Sequence, residues 1–352
     1  MVSSFWRLAG GIALAVTLAL PLAGTAQQQE RSDPAKQQAE RQQTQPLNNA
    51  PLWREVRSGT PAYTSIQGRE TNVLIQARGQ DWRAVRVPLA TIGGALIAFA
   101  VLALIGFYGW RGSIGLHDRP TGRLIQRFSP ADRIVHWSMA ISFVILAITG
   151  LIITFGKYVL LPVIGYTLFS WLAIFSKSLH NFVGPIFSVT VPVFIVLYIR
   201  DNLPKASDWE WVVKFGGMLN KQGGHVPSGR FNAGEKAMFW GLVCFFAIIL
   251  IVTGYVLDFP NFDQTRNTMQ IANVVHMIAA MLGIAMAFFH IYLGTIGMKG
   301  AYQAMRTGYV DESWAKEHHG YWYDEIKAGK SRQQFATDVP RDTRTQIASV
   351  LQ

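Results

Sequence analysis

The chain has 352 residues, of which 50% are hydrophobic and only 15% charged, with a mean hydropathy of +0.20; an average soluble protein carries about 25% charge. The net charge of +11 comes from Lys and Arg spread through short loops beside apolar segments, a distribution that sets membrane topology and makes no nucleic-acid-binding face. The single cysteine, Cys244, lies in an apolar segment, which excludes a disulfide framework, a cysteine zinc site, an iron–sulfur cluster and cofactor attachment through paired cysteines within this chain.

Residues 1–26 place Arg7 ahead of the apolar run Leu8 to Leu20 and end on Ala23, Gly24, Thr25 and Ala26. They read as a cleaved secretory signal, the alternative being a retained first transmembrane helix. Residues 27–50 are Gln-rich, polar and broken by Pro34 and Pro46, so they lack the apolar surface to fold. From Pro51 to Val87, the residues Trp53, Tyr63, Val73, Leu74, Ile75, Trp82 and Val85 alternate with polar residues and glycines, which predicts a small strand-rich exported module. Residues 27–87 thus form an exported tail and module.

Five apolar segments follow, at 88–109, 134–155, 179–199, 236–257 and 272–297, each near the ~20 residues that cross a bilayer. The first is an extra transmembrane helix, and the other four make a core at 134–297. With the signal removed, the first segment runs inward and the others alternate. The basic residues agree: the inner loop 110–133 holds Arg111, Arg119, Arg123, Arg127 and Arg133, the loop 200–237 six Lys or Arg, and the inner tail 298–352 eight. The outer loop 156–178 holds only Lys157 and Lys177, and the loop 258–271 only Arg266.

Histidines carry the chemistry. His276 and His290 lie on the fifth segment fourteen residues apart, nearly on one helical face and about 21 Å apart in depth. His136 opens the second segment at the inner side, and His180 opens the third at the outer side. A neutral imidazole in a membrane is costly without a partner, and haem iron takes two histidines within a helical bundle. Depth pairs His180 with His276 around an outer haem and His136 with His290 around an inner one. With no paired cysteines, two haem b groups would be held noncovalently. Gly283, midway between the two fifth-segment histidines, and Gly184, four residues after His180, clear space for the haems or serve ordinary helix packing. His117, His225, His318 and His319 fall in loops or the tail and are expected to be solvated.

The segment Arg230 to Lys236 predicts that Asn232 caps a helix, with Glu235 closing a capping box. At the level of the inner haem it also offers Asn232 and Gly234 to a quinone carbonyl, and the sequence does not separate these two readings.

Together the chain reads as an all-α integral membrane protein: a four-helix dihaem cytochrome b bundle, one extra N-terminal transmembrane helix and a small exported module. In order and spacing, Asp132-Arg133 with His136-Trp137, Ser178-Leu179-His180 with Gly184, Leu203-Pro204-Lys205, Asn232-Ala233-Gly234 with Lys236, and Phe239-Trp240 resemble the cytochrome b (gamma) subunit of membrane-bound formate dehydrogenase. His276, His290, Trp314-Ala315-Lys316, His318-His319 and Trp322-Tyr323 extend the resemblance over roughly 120–330. Residues 1 to about 115 look like the longer form of that subunit.

The resemblance implies that His136, His180, His276 and His290 bind two haems, and that a quinone site falls on Asn232, Gly234 and His290. It also implies an iron–sulfur beta subunit, a molybdenum or tungsten alpha subunit that oxidises formate, and electron delivery to menaquinone or ubiquinone. The subunit would lie in the bacterial inner membrane, with its mature N-terminus periplasmic and its C-terminus cytoplasmic. The alternative is the cytochrome b anchor of a hydrogenase or another respiratory oxidoreductase.

Overall fold

Among the described residues, five helices are long and apolar enough to cross a membrane. The computed structural model describes residues 53, 57–58, 77–219, 226–337 and 339–351. The signal segment, the Gln-rich tail and most of the expected strand-rich module lie outside the described residues. The chain divides after Ala77, and the unit Arg78–Gln352 carries the elements below.

Helix α1 spans Ala77–Arg111. Trp82 and Val85 are therefore helical, which corrects the expectation of strands up to Val87: the helix begins eleven residues before the apolar run does. Hydropathy locates the part of a helix that needs lipid and is blind to the polar turn ahead of it. Gly93 and Gly94 let α1 approach its neighbours, since a Cβ at Gly93 would stand 2.6 Å from Met281 Cγ and one at Gly94 would stand 3.1 Å from Phe155 Cζ.

Strand β1, Leu124–Gln126, precedes α2, Pro130–Val159. Ser129 starts α2 with a reciprocal capping box: Asp132 N–H donates to Ser129 Oγ (3.2 Å) and Ser129 N–H donates to the Asp132 carboxylate (2.9 Å). Pro130 follows at the first helical position, where its missing N–H costs nothing. Helix α3, Leu161–Tyr198, follows α2 after Leu160 alone, and Gly165, at φ +75°, separates a first short turn from the long membrane helix. The segment 166–178 is thus helical, where an outer loop was expected. Pro185 and Pro192 interrupt its ladder.

After α4, Ser207–Val213, helix α5 spans Ala233–Asp258 and α6 spans Arg266–Gly297. Each contains a wide-turn stretch, Phe239–Ala247 and Leu293–Gly297. Such i→i+5 turns are rare and concentrate at functional sites. Along the flanks, Ile92, Phe99, Leu102, Ile105, Ile148 and Val252 are exposed. Apolar residues left exposed among the described residues suit a hydrocarbon surround.

The segment after α6 folds into a cap on the bundle. It comprises α7 (Ala301–Thr307), β2 (Tyr309–Asp311), α8 (Glu312–His318), α9 (Gly320–Lys327) and α10 (Arg341–Leu351). β2 pairs antiparallel with β1, Ile125 opposite Val310. Trp314, Trp322, Ile125 and Ala315 are buried with Tyr198 of α3, Phe239 of α5 and Phe231 of the loop before α5 in one core, so the cap and the inner bundle end fold together. Gly308, at φ +94°, joins α7 to β2 where a Cβ would stand 2.6 Å from Phe128 O; its own carbonyl accepts from the N–H groups of Arg127 and Phe128. No other residue fits there without strain.

The burial corrects one expectation. His318 and His319, expected to be solvated, are 5% and 1% exposed. His319 Nδ1 lies 2.8 Å from Gly229 O and 3.1 Å from Ser228 Oγ, and its ring packs beside Trp314. Their surroundings are assembled by residues some 90 positions away. His117 meets Glu317 through its ring and backbone N–H, and His225 lies outside the described residues.

Trp314→Ala removes one of the two tryptophans of the cap core, and we expect a loss of about 3–5 kcal/mol. Limited proteolysis of detergent-solubilised protein should then cut the segment after residue 298 readily while the membrane helices persist; unchanged protection would contradict a shared core.

Candidate cofactor centre

The four intramembrane histidines meet in two pairs. The ring centroids of His180 on α3 and His276 on α6 are 6.2 Å apart, and those of His136 on α2 and His290 on α6 are 6.1 Å apart. Subtracting a ring radius of about 1.2 Å on each side leaves the nearest nitrogens at least roughly 4 Å apart, beyond hydrogen-bond reach. Two metal–imidazole bonds of about 2 Å each, with the same radii added, give roughly 6 Å between centroids. The spacing therefore suits one ion between each pair and is too long for a direct bond between imidazoles.

Two threonines fix the outer pair. Thr149 Oγ1 lies 2.8 Å from His180 Nδ1 and 2.7 Å from Ile145 O, one turn back on α2. Thr253 on α5 repeats this, 2.9 Å from His276 Nδ1 and 2.6 Å from Ile249 O. A hydroxyl has one proton, and in a helix the preceding turn's carbonyl takes it. Each threonine oxygen is then left to accept from Nδ1–H, and each imidazole presents Nε2 as its open lone pair.

The residue after each threonine is glycine, Gly150 and Gly254, and a Cβ there would stand 3.4 Å from His180 Cε1 and 3.6 Å from His276 Cε1. Leu146-Ala147-Ile148-Thr149-Gly150 and Leu250-Ile251-Val252-Thr253-Gly254 are thus one device used twice, each on the helix before a histidine-bearing one. The sequence reading passed over both threonines; the repeated pentapeptide was the available signal.

A cavity of about 340 Å³ lies beside the outer pair, lined by His180, His276, Gly150, Gly184, Gly254 and Ile284 among others. A Cβ at Gly184 would meet no atom within 4 Å, so this glycine faces open space. Gly283 differs, since a Cβ there would stand 3.4 Å from Leu242 Cδ1 and 3.8 Å from Phe246 Cβ. Of the two expected clearance glycines, Gly184 borders the cavity and Gly283 packs against α5.

The inner pair has another setting. His136 lies against Trp137, Phe194 and His290, and its Nδ1 is buried without a hydrogen-bond partner. At the same end, Asn232 caps α5: Glu235 N–H donates to Asn232 Oδ1 and Asn232 N–H donates to Glu235 Oε2, both at 2.9 Å. Gly234 sits under the Trp211 ring, where a Cβ would come within 2.7 Å. Glu235 also accepts from Arg127 at 2.9 Å, and Arg230 bonds Asp201 and the Arg127 carbonyl. Burial pulls the Arg127 guanidinium below its ordinary pKa range, and the Glu235 carboxylate opposes that shift. This network ties the loop before α5 to β1 and the cap.

Membrane-spanning helices with facing histidine pairs define a class, the membrane cytochromes b. The chain belongs to one family within it: a family model described as prokaryotic cytochrome b561 matches residues 127–308, just over half the chain. Among its relatives, the formate dehydrogenase cytochrome b556(fdo) subunit of Escherichia coli (strain K12) is 30% identical over 207 residues, covering 58% of this chain and 93% of that one. The nitrate-inducible formate dehydrogenase cytochrome b556(Fdn) subunit of the same strain is 27% identical over 221 residues, 60% of this chain and 96% of the relative. A formate dehydrogenase cytochrome b556 subunit of Haemophilus influenzae (strain ATCC 51907 / DSM 11121 / KW20 / Rd) is 28% identical over 209 residues, 58% of this chain and 83% of the relative.

Membership implies a multi-pass membrane protein that binds haem b. The residues fit that group: two imidazoles per site at metal-bridging separation, an outer pair with its Nδ1 protons committed, and a glycine-lined cavity beside it. Removing either threonine hydroxyl, as Thr149→Val or Thr253→Val, is expected to weaken retention of one haem about 10–100-fold in haem titrations of the apoprotein. The Ser variants should retain it, and equal affinity in the Val variants would show that the hydroxyls do not orient the ligands.

Proposed function

We propose that this chain is the cytochrome b subunit of a formate dehydrogenase, carrying electrons from an iron–sulfur beta subunit to membrane quinone, with formate oxidised on a molybdenum or tungsten alpha subunit. The observation that carries the reading is the pair of histidine couples, 6.1 and 6.2 Å between centroids, inside a chain whose relatives are formate dehydrogenase cytochrome subunits. His180 with His276 would hold the outer haem, and His136 with His290 would hold the inner one. Haem b, when bound, supplies one-electron redox chemistry that no side chain here offers.

The rest is the work of the chain's own residues. Thr149 and Thr253 orient the outer imidazoles and raise their basicity through Nδ1–H. Phe187 and Val191 of α3 and Val243 and Ala247 of α5 form a buried apolar cluster, which excludes water between the two levels. Because His276 and His290 share α6, the two sites stand about 21 Å apart along one rigid element.

The quinone site falls at the inner end, on Asn232, Gly234 and His290. Asn232 Oδ1 is committed to the helix cap, so its amide nitrogen is the group left to donate to a quinone carbonyl. The acceptor is menaquinone or ubiquinone. The basic residues orient the chain with its inner loops and C-terminal cap in the cytoplasm and its mature N-terminus in the periplasm of a bacterial inner membrane. Electrons enter outside and protons for quinone reduction are taken up inside, which separates charge across the bilayer.

In the intact complex, His290→Ala should lose one haem and abolish formate-driven quinone reduction, while formate still reduces an artificial acceptor at the catalytic subunit. Two spectrally normal haems in that variant would refute the assignment.

A further inference from the structure

Helix α1 lies outside residues 127–308, the part that matches the family, yet one of its side chains reaches the outer cavity. Arg86 lines that cavity together with His180, His276, Lys177, Asn181, Asp258 and Asn273. Arg86 Nε is buried and has no hydrogen-bond partner, and neither has Asn273 Oδ1, on α6 one turn before His276. Lys177, the other cation of the rim, is already engaged, donating to Asn181 Oδ1 at 2.8 Å.

The packing explains how Arg86 arrives there. Gly93 sets α1 against Met281 of α6. Arg86 precedes Gly93 by seven residues, two turns back on the same face and about 10 Å nearer the outer side. His276 precedes Met281 by five residues, about 7.5 Å in that direction. Since α1 and α6 are the first and fifth of five alternating crossings, both run the same way, and Arg86 comes level with His276.

A guanidinium at the mouth of an apolar cavity, its Nε–H buried and unmet, calls for an anion, and its planar fork suits a carboxylate. Of the molecules expected in this cavity, haem brings two carboxylates, its propionates. We propose that Arg86 of α1, supported by the amide of Asn273, binds a propionate of the outer haem, so that the helix added ahead of the family core completes the outer cofactor site. This rests on the reading of His180 and His276 as that haem's ligands. Asn273 takes part through its amide nitrogen, a half-turn of the side-chain amide from the orientation described. Asp258 on the same rim repels a carboxylate, which gives the two cations, Arg86 and Lys177, their function there.

A positive charge beside haem favours the reduced form, which carries one positive charge fewer. Spectroscopic redox titration of the purified holoprotein tests the proposal. In Arg86→Gln, one of two haem waves should move to lower potential, or that haem should be partly lost, while the other wave keeps its position. Arg86→Lys, which keeps the charge but not the fork, should move the same wave less, and it decides the matter if Arg86→Gln does not fold.

Two full waves at unchanged potentials in the folded variant would overturn the proposal. Unchanged waves accompanied by loss of copurifying anionic lipid would overturn it in favour of a lipid headgroup as the anion. A wild-type protein without two haem waves would overturn the ligand assignment beneath it, a result visible before any variant is made.

Discussion

Four imidazoles in the apolar interior of a membrane bundle are the constraint to which the rest of the structure answers. Each must be paid for by a partner, and the bundle meets that need by setting them in couples whose spacing suits a shared metal. Helix α6 contributes to both couples, so its rigidity fixes the distance between the sites. The neighbouring helices supply the second imidazole of each couple, from α3 at one end and α2 at the other.

The two ends are built differently. At the outer end, a threonine and a glycine on the preceding helix hold and clear each histidine, the same solution twice in hairpins α2–α3 and α5–α6. At the inner end, His136 has aromatic neighbours and an Nδ1 without a partner, and the polar interactions lie below it, in the charged network of Arg127, Arg230, Glu235 and Asp201. That network joins the bundle to the cap, whose core shares Tyr198 and Phe239 with the membrane helices and Phe231 with the loop before α5. The outer site is held by hydroxyls and the inner site is braced by a folded cap, so the two positions are built from different neighbours.

The membrane helices were legible in the sequence because lipid demands a long apolar run, and the candidate histidines stood out because polar residues in such runs are rare. Helix ends were less legible: the turn at Ala77 and the helical segment 166–178 lie outside the runs that hydropathy detects. The burial of His318 and His319 could not be read locally, since Ser228, Gly229 and Trp314 reach them only in the folded cap. The two glycines show the same limit. Spacing offered Gly184 and Gly283 equally, and only three-dimensional packing separates the one that borders a cavity from the one that meets Leu242. Thr149 and Thr253 were hidden in another way, since a threonine in an apolar helix is ordinary until its hydroxyl is found on a histidine.

The central claim is that each histidine couple brackets one iron. Low-temperature electron paramagnetic resonance of the oxidised, purified protein, together with its haem-to-polypeptide ratio, tests it most directly. The account predicts two haem b per chain and two low-spin ferric signals from bis-imidazole ligation. A single haem, or a high-spin signal from iron with only one axial histidine, would contradict it.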